Sequence, residues 1–73
     1  MAEKADELNK LISIATDLGL NDEIRIRAIE RLGNIGTKEA LRALLDLAAN
    51  EAMVKQDREI AIKQARNIIR SGP

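Results

Sequence analysis

Apolar residues fall three and four positions apart along most of this chain, the spacing that lines one face of a helix. Leu8, Leu11, Ile12, Ala15 and Leu18 predict a first helix over about residues 3–18. Gly19 is placed to end it in the left-handed conformation, with Leu20 folding back in a Schellman-type contact. Asn21 or Asp22 then caps a second helix over 22–33, whose inward face is Ile24, Ala28, Leu32 and Ile35. That helix fails around Gly33 and Gly36, since glycine lowers helix stability and favours a turn. Thr37 can accept from the freed amides of a third helix, 38–49, and Glu39 meets the positive end of its dipole. The apolar residues Ala40, Leu41, Leu44, Leu45, Leu47 and Ala48 cover a wide arc, which predicts contact from more than one side and a central position. After Asn50 the pattern is ambiguous, because Glu51, Ala52 and Met53 contain no breaker, so a fourth helix starts anywhere from about 51 to 57. We place it at 57–70, with Ala61, Ala65 and Ile68 on one stripe, Ile60, Ile62 and Ile69 widening it, and Ser71, Gly72 and Pro73 ending it.

Composition supports an all-α reading. Ala, Leu and Ile carry nearly all of the 45% hydrophobic content, Val54 is the one valine, and 33% of residues are charged, the balance of a folded chain. With 73 residues there is room for a single domain, 1–73. Lys plus Arg and Asp plus Glu both number 12, so no net field draws in nucleic acid or an acidic membrane. The first residues carry neither a secretory signal nor a membrane span, and there is no Cys, so the cytoplasm is the expected location. A core of this size is near the threshold where small domains need a staple, and with disulfide and metal both missing, oligomerisation is the remaining device.

The chain also echoes itself. A shift of about 33 residues places Leu8, Leu11, Ile12, Ile14 and Ala15 on Leu41, Leu44, Leu45, Leu47 and Ala48. Without a gap it also sets Leu20 on Met53, Arg25 on Arg58, Ala28 on Ala61, Ile29 on Ile62, Asn34 on Asn67 and Ile35 on Ile68. Pairs such as Arg on Arg and Asn on Asn go beyond a shared apolar period.

The run from Ile24 to Ala48, IRIRAIERLGNIGTKEALRALLDLA, resembles the HEAT-like helical repeat of the type seen in phycobilisome lyases. The match rests on Ile24, Arg25, Ala28, Leu32, Gly33, Ile35 and Gly36 in one helix and Ala40, Leu41, Leu44 and Leu45 in the next. Ala65, Arg66 and Ile69 depart from it, standing where the motif has Leu, Gly and Gly, and the connection before the fourth helix is longer than usual. The resemblance implies an α-α superhelix fragment of four helices, about two repeats, in which the middle two helices form the complete unit. It implies that Arg25 and Arg58 link neighbouring repeats through acidic groups. It also implies that the first and third helices line an inner surface where Asn9, Ser13, Arg42 and Asp46 face a protein partner.

Repeat arrays stabilise by stacking and normally carry polar caps, which this chain lacks. Ile60, Ile62 and Ile69 are therefore the expected exposed set, and self-association as a symmetric homodimer is favoured over an open stack.

Catalytic readings fare poorly. No His and no Cys means no triad, no thiolate and no ordinary zinc or iron site, so neither cofactor nor metal is expected. The neighbouring carboxylates Asp6 with Glu7 and Asp22 with Glu23 do not face one another on a helix. Gly33 to Thr37 lacks the Lys and preceding strand of a phosphate loop. Lys63, Arg66 and Arg70 form a basic stripe that makes nucleic-acid association the alternative, but no aromatic residue is present to stack on bases and Glu30 and Glu59 interrupt the basic surface. The sequence thus predicts a non-enzymatic protein-interaction scaffold.

Overall fold

The computed structural model describes residues 2–72, with side chains from Asp6 onward. It is all-α: α1 (Ala2–Ala15), α2 (Asp22–Ile35), α3 (Lys38–Ala49) and α4 (Lys55–Ser71), with no strand among the described residues. None of these helices is long and apolar enough to cross a membrane.

α1 stops three residues before the expected limit. The Thr16 hydroxyl donates to the Ile12 carbonyl at 2.8 Å, and the Asp17 amide donates to Ile14 at 3.2 Å, tightening the last turn. The Asp17 carboxylate then accepts from the Gly19 amide at 2.9 Å, while the Leu20 amide donates to the Asp17 carbonyl at 3.1 Å. Side-chain chemistry at Thr16 and Asp17 therefore ends the helix, and Gly19 is not left-handed. Leu18, expected on the buried face, lies outside the helix and is exposed.

Asn21 caps α2, its side-chain oxygen accepting from the Ile24 amide at 3.0 Å. The helix runs through Gly33 to Ile35, two residues past the expected end, and Gln64 of α4 lies over Gly33 where a Cβ would overlap its side chain. Gly33 serves close helix approach, and the turn is made by Gly36, at φ 69° with its amide on the Leu32 carbonyl. A Gly36→Ala variant is expected to lose roughly 1–2 kcal/mol, the cost of a left-handed Cβ, read as a lower urea midpoint. Thr37 caps α3 as expected, accepting from the Ala40 amide at 3.1 Å.

The start of α4 is settled by Asn50. Its side chain takes the Ala52 amide at 2.9 Å and its carbonyl takes the Met53 amide at 3.0 Å, so helix cannot resume at 51 and begins at Lys55 rather than Asp57. At the far end Gly72 donates to the Ile68 and Ile69 carbonyls; Pro73 lies outside the described residues.

The α1–α2 and α3–α4 connections share three hydrogen bonds. Adding 33 to Asp17, Gly19, Leu20 and Ile14 gives Asn50, Ala52, Met53 and Leu47, and all three hydrogen bonds recur at the same offset. α2 and α4 likewise begin 33 residues apart, at Asp22 and Lys55, with Arg25 and Arg58 donating to the carbonyls of Asn21 and Val54.

Packing corrects the expected centre. α2, not α3, touches all three other helices, while α1 packs chiefly on α2. α2 can do this because Ala28 and Gly33 admit neighbours closely while Ile29 and Leu32 are wholly enclosed. The core gathers Ala15, Ala28, Ile29, Leu32, Ala40, Leu44, Leu47, Met53, Ala61, Ala65 and Ile68. Ile24 is 43% exposed instead of buried, and its neighbour Arg25 turns inward. Leu45 is 48% exposed, which narrows the buried face of α3 to Ala40, Ala43, Leu44 and Leu47.

Candidate functional site

Because α1 leans on α2 and barely meets α3, a groove of about 330 Å³ lies between α1 and α3. Leu8 and Ile12 from α1 and Ala43 and Leu47 from α3 give it an apolar floor, left open by the small side chain of Ala43. Thr16, Glu39, Arg42, Asp46 and Asn50 form its rim. Glu39, Arg42 and Asp46 follow helical spacing, so one face of α3 presents a guanidinium and two carboxylates beside apolar surface, with Asn50 just past its end.

Of the residues expected to face a partner, Arg42 and Asp46 line this groove. Asn9 and Ser13 do not. They are exposed, but α1 turns Leu8, Ile12 and Thr16 toward α3, and each of the other two sits one residue, about 100°, further round. The signal was available in the apolar register of α1 itself, which fixes the groove-facing stripe once Ala15 is buried against α2.

The outer face of α4 is the second exposed region. Ile62 and Ile69 are 40% and 59% exposed, whereas Ile60 packs against the core and leaves the expected self-association set. Two positions are about 200° on a helix, so Ile60 and Ile62 point to opposite sides. Lys63, Arg66 and Arg70 are exposed on α4, with Glu59 on the same surface.

A buried ion pair joins α2 to the first turn of α4. Arg25 Nε donates to Asp57 Oδ2 at 2.7 Å, and its Nη1 donates to the Leu20 carbonyl at 2.6 Å. One guanidinium thus ties together the α1–α2 connection, α2 and α4. Asp57 was not singled out from the sequence, although it occupies an inward register with Ala61, Ala65 and Ile68. A charge in an apolar stripe was the legible clue. Among the described residues, two buried side-chain polar atoms have no partner: Asp57 Oδ1 and Arg58 Nε.

Among the described residues no three His, Cys, Asp or Glu groups converge where a metal would sit. The Thr16 hydroxyl in the groove is engaged by the Ile12 carbonyl. Comparison with protein families, with curated proteins and with solved structures gives no match to this chain.

Proposed function

We propose that the chain is a non-enzymatic protein-interaction module, a minimal HEAT-like scaffold whose α1–α3 groove receives side chains of a protein partner. The observation that carries this reading is the apolar floor of Leu8, Ile12, Ala43 and Leu47 beneath a polar rim that includes Arg42 and Asp46. Such a site offers area from its floor and register from its rim, the usual division of labour in recognition. The HEAT-like description is supported by the Ile24 to Ala48 run and by the hydrogen bonds that recur 33 residues apart. A reducing, cytoplasmic setting suits a chain without cysteine.

Self-association through α4 has a narrower basis than the three isoleucines suggested. Ile62 and Ile69 remain, and a homodimer joining like faces would oppose Lys55, Arg58 and Arg66 with their own copies. Nucleic-acid association through Lys63, Arg66 and Arg70 is weakened by Glu59 on the same surface and by the absence of any aromatic side chain.

The groove is tested by affinity capture with the full chain and its surface variants. Arg42→Glu with Asp46→Lys is expected to lose the captured partner by roughly tenfold or more, the usual scale for reversing central charges, while Asn9→Lys with Ser13→Lys retains it. Equal loss in both pairs, or in neither, counts against the groove.

A further inference from the structure

Arg25 and Arg58 hold the same place in the 33-residue frame, and only one of them has an acid. Each sits in the first turn of its helix with its amide on the carbonyl four residues back. Arg25 is met by Asp57 from the next helix of its kind. Arg58 Nε is also shut from water, although the rest of the residue is partly exposed, and it has no acceptor among the described residues. A desolvated guanidinium N–H without a partner is costly, so the site is complementary to a carboxylate.

The surroundings say the same. Ile62 is the counterpart of Ile29, which is wholly enclosed, yet Ile62 is 40% exposed. Lys55, Arg66 and Arg70 lie exposed around it against the lone acid of that helix face, Glu59. The face is short of negative charge and of an apolar cover.

We propose that the outer face of α4 docks an acidic amphipathic helix of another protein, which sets a carboxylate on Arg58 as Asp57 sits on Arg25 and lays apolar side chains over Ile62 and Ile69. A second copy of the chain fits this face less well. Face to face, it opposes bases with bases. Stacked in the 33-residue frame, it brings Ile24 to the place of Asp57, and Glu7 and Lys10 to the places where α3 packs Ala40 and Ala43. Arg66, standing where α2 has Gly33, blocks a close neutral neighbour and offers an acidic one a second partner.

This inference rests on reading the chain as an interaction module, but its test does not use the groove. The probe is a fluorescein-labelled synthetic peptide with the sequence of residues 54–71 in which each Lys and Arg is replaced by Glu. It keeps the docking register of Asp57, Ala61, Ala65 and Ile68 and is acidic. Titrated with the full chain at low salt, it is expected to bind saturably. Arg58→Gln and Arg58→Lys should each weaken binding by roughly tenfold, since lysine keeps the charge but lacks Nε, with Arg66→Gln costing clearly less. Asp57→Asn in the peptide should cost as much as Arg58→Gln, with little added when both are changed. Circular dichroism should show Arg58→Gln melting no lower than the parent, because it removes a desolvated orphan. Absence of binding, equal losses from Arg58→Gln and Arg66→Gln, or full binding by Arg58→Lys overturns the assignment. So does sedimentation showing a dimer that Arg58→Gln dissociates, which would give the face to a second copy. Arg42→Glu with Asp46→Lys should leave peptide binding unchanged, so failure at the groove and failure at α4 are read separately.

Discussion

An Asp57→Ala variant is expected to lose about 3–5 kcal/mol, the cost of stripping one partner from a buried ion pair. Asp57 is 1% exposed, and its removal leaves Arg25 Nε enclosed without an acceptor. A chain of this length has roughly 4–11 kcal/mol of total stability at 0.05–0.15 kcal/mol per residue, so the loss is a large share of the whole. Urea denaturation followed by circular dichroism measures it directly. Replacing both partners, Arg25→Met with Asp57→Leu, is expected to recover most of the loss, because two apolar side chains need no desolvation. The unpaired Asp57 Oδ1 strengthens that expectation, since the pair is incompletely satisfied as it stands. If the double variant is no better than Asp57→Ala, the ion pair is holding the fold by geometry rather than by avoiding an orphaned charge.

The second large effect separates two adjacent leucines. Leu44→Ala should cost about 2–5 kcal/mol, as truncation of a wholly enclosed leucine does when its surroundings cannot collapse. Leu45→Ala should cost within about 0.5 kcal/mol, the usual range for exposed positions. Leu44 is fully enclosed among α3 and its neighbours and Leu45 is 48% exposed. Matching urea midpoints for the two variants would mean that α3 is rotated from its position here.

Those leucines also show where sequence reasoning stopped. Spacing alone placed four helices, and the Thr37 cap and the limits of α3 follow directly from residue types. The width of an apolar arc, however, does not reveal which part is covered, so α3 looked central although α2 has the three neighbours. The end of α1 was misjudged because Gly19 is a louder breaker than Asp17, whose carboxylate closes the turn, and Asn50 hid the start of α4 in the same way. Ile24 was expected inward but is half-exposed, because Arg25, for which the resemblance implied an acidic partner, takes the inward place and meets Asp57, 32 positions away. Of the four polar residues that the HEAT-like resemblance set on an inner surface, Arg42 and Asp46 line the groove. Asn9 and Ser13 were misplaced because the rotation of α1 is set by its packing on α2.

The lopsided attachment of α1 bears on the groove itself. α2, α3 and α4 brace one another, but α1 is held to that trio chiefly through α2, with the Arg31 to Glu7 pair at 3.1 Å lying in solvent where it adds little. The groove therefore has one wall, α3, braced by both α2 and α4, and another, α1, whose place rests on the packing of Leu8, Leu11, Ile12 and Ile14 against the core.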